Sequence, residues 1–163
     1  LTVSELVAFG RFPHSKGRLT PADREPIERA LAFLGLEPYR ERFLDELSGG
    51  QRQRAFVAMV LAQDTEVVLL DEPLNNLDMK HAVAMMGILR RAADELGRTV
   101  IVVLHDINFA ASYCDRIVAM REGRVVRDGT PDEIVTPEAL HAIYDMDMRV
   151  VRIEARPVCV FWR

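Results

Sequence analysis

A chain of 163 residues is long enough for one domain that buries roughly 70% of the surface its unfolded form exposes. It is 49% apolar and 28% charged with a formal net charge of −4, an ordinary globular composition without the basic surplus needed to grip nucleic acid or anionic lipid. The longest apolar runs, Ala55 to Ala62 and Val100 to Leu104, fall far short of the ~20 residues of a membrane span.

In chain order, Val3, Leu6, Val7 and Phe9 are the apolar positions of a short helix that Thr2 caps, with Glu5 completing a capping box. Gly10 to Lys16 contains Pro13 and is followed by Gly17, which predicts a loop. A second helix is expected through Ile27, Ala30, Leu31 and Leu34, stopping at Gly35. Both Thr20-Pro21 and Glu25-Pro26 are candidate starts. Residues 1 to about 47 therefore read as helical. After Asp64 the pattern changes. Val67 to Leu70 and Val100 to Leu104 are continuous apolar runs, which predict strands buried on both faces. Between them Met79, Ala82, Met86, Leu89, Ala93 and Leu96 mark one face of an amphipathic helix. Strand, helix and strand at that spacing form a parallel crossover, so the fold class is α/β. Ile117 to Met120 and Arg124 to Val126 read as a hairpin turning at Glu122-Gly123, and Pro131 to Tyr144 as a helix. Met148 to Ile153 and Val158 to Trp162 read as a closing strand pair with Pro157 at its turn.

Chemistry concentrates at three places. In Leu47-Ser48-Gly49-Gly50-Gln51, Ser48 is an N-cap with Gln51 in capping-box position, and the glycines leave the first helical amides uncovered. Such a helix start can bind a phosphate, although a capped helix without a ligand explains the same residues. Asp71 and Glu72 directly follow the Val67 to Leu70 strand, at the carboxyl edge where α/β sheets bind ligands. There Asp71 can hold Mg²⁺ and Glu72 can orient and deprotonate water, while a solvated turn is the plain alternative. His105, followed by Asp106, ends the next apolar run and can hydrogen-bond a terminal phosphate or be structural. His14, His81 and His141 read as solvated. Cys114 and Cys159 lack metal-ligand spacing and read as the reduced thiols of a cytosolic protein. No basic segment followed by an apolar run opens the chain, so no secretion signal is expected in it.

Together, Leu47 to Gln51, the apolar strand ending in Asp71-Glu72, Leu77-Asp78 and the strand ending in His105 resemble the ABC ATPase family across essentially the whole chain. The resemblance implies a P-loop NTPase-like parallel-sheet core with a helical subdomain. Residues 1–63 would be that subdomain, including the signature helix, and 64–163 the partial α/β core with its closing strands. It further implies that Asp71 supports Mg²⁺, Glu72 is the catalytic base and His105 contacts the γ-phosphate. Ser48, Gly49, Gly50 and Gln51 would reach ATP held by a second subunit, with Asp78 of the Asn75 to Asp78 turn linking the two sites in a head-to-tail dimer. The opening Val3 to Pro13, together with Leu74, Asn75-Asn76 and His105 to Ala110, resembles importers for iron–siderophore, haem and cobalamin. That branch implies a membrane permease partner, a substrate-binding protein and a place at the cytoplasmic face of the membrane.

One departure stands out. No Gly-Lys followed by Ser or Thr occurs, so the phosphate-binding loop is not in this sequence. The family's adenine-stacking aromatic and glutamine loop would likewise lie before Leu1. The expectation is a part of a longer chain, inactive alone, with one edge and one face of its sheet uncovered. Two other readings stay open: an ABC ATPase acting on DNA or ribosomes, and a non-catalytic module. No heptad run supports the former, and Glu72 with His105 argues against the latter.

Overall fold

The computed structural model describes residues 1–161, and the chain divides into two units, Leu1–Val103 and Leu104 onward. Trp162, expected in the last strand, lies outside the described residues.

The first unit opens with α1 (Val3–Phe9), started by the expected capping box between Thr2 and Glu5. Where a loop was expected, Phe12–Ser15 forms the short helix α2, with Pro13 in its first turn, where a missing N–H costs nothing. Helix α3 (Pro21–Phe33) starts at Thr20 rather than Glu25, and Pro26 lies inside it. Asp23 decides between the two starts. Its Oδ2 accepts from both the backbone N–H and the hydroxyl of Thr20, each at 2.8 Å. Two 3-10 turns, Glu37–Tyr39 and Leu44–Glu46, lead to α4 (Gly49–Ala62). Helices α1, α3 and α4 pack on one another around Val3, Val7, Leu31, Val57 and Ala58, all essentially inaccessible. Burial of each larger side chain there contributes roughly 1.5–3 kcal/mol.

Polar side chains tie α3 and α4 together, one of them from the link between α1 and α2. Arg11 donates through Nε to Asp23 at 3.0 Å and through Nη1 to the Ala62 and Gln63 carbonyls at 2.9 and 3.3 Å. The guanidinium thus caps the carboxyl end of α4 while pairing with the carboxylate that starts α3. At the opposite end of α3, Arg54 of α4 donates to the Leu34 carbonyl at 3.0 Å. Gly10 is where the chain leaving α1 meets α4: a Cβ there would lie 2.0 Å from the Met59 carbonyl oxygen.

Strand β1 (Val67–Leu70), helix α5 (Met79–Leu96) and strand β2 (Thr99–Val102) form the expected parallel crossover. The register pairs Leu70 with Val102, and the Val103 N–H continues the ladder to the Leu70 carbonyl at 2.9 Å. The buried stripe of α5 is Ala82, Met85, Met86, Leu89 and Ala92, whereas Met79 and Leu96 of the expected face are exposed. The expected burial of the strands on both faces does not hold. Val68 and Leu70 are buried, but Leu69 is 66% and Ile101 50% exposed. Side chains alternate along a strand, so cover on one side of this pair leaves the other an open apolar surface.

The second unit has a core of Ile107, Ala110, Ala111, Ile117, Ile134, Val135, Leu140 and Cys159. Helix α6 (Ile107–Tyr113) precedes the hairpin β3 (Ile117–Arg121) and β4 (Arg124–Gly129), which turns at Glu122-Gly123 as expected. The single helix expected over Pro131 to Tyr144 is two, α7 (Pro131–Ile134) and α8 (Pro137–Tyr144). Pro137 disfavours helical geometry in the residue before it, and Thr136 takes an extended conformation and caps α8. The closing hairpin pairs β5 (Arg149–Ile153) with β6 (Arg156–Val160). Its turn is Glu154-Ala155, both at positive φ, so Pro157 is a strand residue opposite Arg152 and not the turn. In a two-residue hairpin that pair is a non-hydrogen-bonded one, where a missing N–H breaks nothing. Asn108 fastens α6 to this hairpin, donating to the Cys159 carbonyl at 3.0 Å and accepting from its N–H at 2.8 Å.

Candidate functional site

The start of α4 is built as its residues require. Ser48 has extended geometry and accepts the Gln51 N–H at 3.3 Å, while the Gln51 side chain accepts the Ser48 N–H at 2.9 Å. These bonds leave the positive end of a 14-residue helix presented by Gly49, which is exposed and would have open space around a Cβ. Gly50 differs. It is buried, and a Cβ on it would lie 2.4 Å from the His81 ring carbon Cδ2.

At the carboxyl end of β1, Asp71 is exposed and Glu72 half-buried. Glu72 has φ +47°, left-handed geometry that costs a non-glycine residue about 1–2 kcal/mol. Such strain persists only where surroundings fix it, and here they do. The Glu72 carbonyl accepts the Asn75 N–H at 3.1 Å, its carboxylate accepts from the Asn75 side-chain amide, and Pro73 between them is buried. The turn continues through Asn76, also at positive φ, to Asp78, the N-cap of α5. Asp78 Oδ1 accepts the His81 N–H at 2.9 Å and the His81 ring Nδ1–H at 2.7 Å. The backbone bond first, and the ring bond after it, hold the Asp78 carboxyl below the usual carboxylate range.

The first unit therefore gathers Gly50 and Asp78 around one imidazole, and carries Asp71 and Glu72 on the turn leading to Asp78. His105 belongs to the second unit, where it is exposed and directly precedes Asp106, whose carboxylate caps α6 through the Asn108 and Phe109 N–H groups. Of the remaining histidines, His14 and His141 are exposed, as expected, and each also makes one surface hydrogen bond. His14 Nε2 bonds the Gln63 carbonyl at 2.9 Å, and His141 Nδ1 bonds Asp147 at 3.1 Å. His81 is the residue that sequence reasoning missed. Its signal was spacing: three residues after an N-cap Asp, a side chain folds back over the helix start.

A capped, glycine-opened helix start and a strand ending in Asp-Glu, ahead of a parallel crossover, are features of the ATPase cassettes of ABC transporters. Residues 1–75 match the family model described as ABC transporter. The fold agrees: the solved structure of cbiO1 from Clostridium perfringens, part of the ABC transporter complex cbiONQ, superposes with TM-score 0.73 at 33% identity, over 85% of this chain and 55% of that one. The first 75 residues thus carry the match to the ABC transporter family model, and similarity to curated import ATP-binding proteins extends over nearly the whole chain. Among curated relatives, the petrobactin import ATP-binding protein YclP of Bacillus subtilis (strain 168) is 51% identical over 99% of this chain. The iron(3+)-hydroxamate import ATP-binding protein FhuC of the same organism is 44% identical over 98% of it. The chain spans 64% of the length of the first of these relatives and 61% of the second.

Proposed function

We propose that this chain is the signature-bearing part of an ATP-hydrolysing subunit of an importer for iron–siderophore complexes. The observation that carries the ATPase reading is local. An open, capped helix start (Ser48 to Gln51) and a strained carboxylate turn (Asp71 to Asp78) lie in one unit and share a contact at His81. Its relatives support the importer branch, since they include ATP-binding proteins for petrobactin and iron(3+)-hydroxamate import.

Asp71 fits a Mg²⁺ site, because this ion keeps most of its waters and phosphate ligands and takes one or two carboxylates. Bound there, Mg²⁺ would neutralise charge on the phosphates of ATP. The Glu72 side chain accepts a water proton and aims the oxygen, its direction set by the Asn75 bond and the left-handed backbone. His105 contacts the γ-phosphate. Ser48, Gly49, Gly50 and Gln51 offer the α4 start to ATP on a second subunit, and Asp78 links the two sites in a head-to-tail homodimer. The helical elements of the first unit dock on membrane permease subunits, which a substrate-binding protein supplies. Docking on a permease places the subunit peripherally, at the cytoplasmic face of the membrane; no helix of the described residues is long and apolar enough to cross it.

The substrate assignment is tested with the full-length protein reconstituted with its permease and binding protein. ATP hydrolysis should rise severalfold when an iron–siderophore complex is supplied. Stimulation by a non-iron substrate alone would refute the iron assignment.

A further inference from the structure

His81 joins two segments that the proposed function uses separately. Its imidazole bonds Asp78 at 2.7 Å through Nδ1, while the ring carbon Cδ2 lies so near Gly50 that a Cβ there would approach it to 2.4 Å. Its own backbone N–H is bonded to the same Asp78 oxygen at 2.9 Å, so main chain and ring are both fixed by one carboxylate. Only a glycine lets the chain pass this close to a ring held in that way. The ring is also half-exposed, with 44% of its side-chain surface accessible, so core packing alone does not explain its place.

We propose that His81 is a positioning residue that locks the Ser48–Gln51 helix start to the Asn75–Asp78 turn, so that both face a second copy of this chain as one rigid edge. The proposal rests on the ATPase reading above. The chemistry is simple. The Asp78 carboxylate orients the imidazole, and the imidazole face sets how far the Gly50 backbone can approach the turn. A partner's nucleotide then meets the α4 amides and Asp78 at a fixed spacing. Misplacement by as little as ~1 Å can cost on the order of a hundredfold in rate when a site depends on preset geometry.

The test is a double-mutant cycle on the full-length protein, reading kcat and KM for ATP alongside the melting temperature. His81→Ala should lower kcat about tenfold with the melting temperature little changed, because the lost contacts are half-exposed. Gly50→Ala should be more severe, since its methyl and the ring cannot both keep their places. In the His81→Ala background the same methyl meets no ring, so the Gly50→Ala penalty on kcat should shrink by about fivefold or more. His81→Phe keeps a flat ring over Gly50 but loses the Asp78 bond, and should fall between the wild type and His81→Ala. Unchanged kcat in His81→Ala would overturn the proposal. An equal Gly50→Ala penalty in both backgrounds would overturn it too, because the glycine would then be needed for something other than the ring. A Glu72→Gln variant run in parallel separates the two claims. If it retains turnover, the ATPase reading itself fails, whatever His81 does.

Discussion

Gly10 offers a sharp test of the packing that holds the α4 helix in place. Its backbone is ordinary right-handed helix, φ −57° and ψ −25°, so on local grounds alanine should be welcome. By its effect on the unfolded chain alone, a compatible Gly→Ala change gains about 0.4–1 kcal/mol. Packing against α4 reverses the sign. The added methyl would lie 2.0 Å from the Met59 carbonyl oxygen and 3.1 Å from the Ala62 Cβ, both on α4. Restoring an ordinary contact of ~3.5 Å requires α1 and α4 to part by about 1.5 Å. Overpacking of this kind costs about 1–3 kcal/mol, so the net loss is about 1–2 kcal/mol. That corresponds to a melting point lower by several degrees. Gly87→Ala is the matched control: in mid-α5 a Cβ would meet nothing within 4 Å, and it should stabilise by about 0.5–1 kcal/mol. Urea unfolding of the two full-length variants should move in opposite directions. If Gly10→Ala raises the midpoint as Gly87→Ala does, the close approach of α1 to α4 is refuted.

Further outcomes follow from other contacts. Bonds from the Thr20 N–H and hydroxyl, and then from Arg11, depress the Asp23 pKa from 3.8 to about 2. A depressed carboxylate contributes stability above its unfolded pKa and loses it as pH falls through the folded one. The wild-type unfolding midpoint should therefore decline between pH 4 and pH 2 more steeply than that of Asp23→Asn; parallel curves would refute the assignment. Glu72→Gly should abolish ATP turnover while leaving the melting temperature equal or higher, because glycine adopts φ +47° without strain; a strongly destabilised variant would contradict the strain. Asn108→Ala should cost about 1–3 kcal/mol and speed hydrogen exchange at the Cys159 amide, since both backbone groups of Cys159 lose their partner; unchanged exchange would contradict this.

How much of this could be read in the sequence followed from how local each signal was. The capping boxes at Thr2 and Ser48 are set by residues three apart, and both are present as written. The parallel crossover followed from two apolar runs with a helical stripe between them. Where two local solutions competed, the chain chose by tertiary contact. Thr20 starts α3 because Asp23 also pairs with Arg11, a partner 12 residues away and close to the end of α4. Burial misled for a related reason: an apolar run shows what a strand tolerates, and Leu69 and Ile101 lie on an open face. Pro157 resembled a turn residue, yet the Glu154-Ala155 turn formed without glycine or proline. At the site, Asp71, Glu72 and Asp78 were legible as carboxylates in order, but the role of Asn75 depends on Glu72 taking a left-handed backbone. His81 was hidden for the same kind of reason, because its partner Gly50 is 31 positions earlier, a pairing only the fold reveals.

The most direct measurement is nucleotide-dependent dimerisation of the full-length protein carrying Glu72→Gln, followed by analytical ultracentrifugation with and without Mg·ATP beside steady-state hydrolysis. The account predicts that turnover disappears and that ATP drives the protein into a stable dimer, since the nucleotide is held across the α4 start and is no longer consumed. Hydrolysis at the wild-type rate, or a protein that stays monomeric in saturating Mg·ATP, would contradict it.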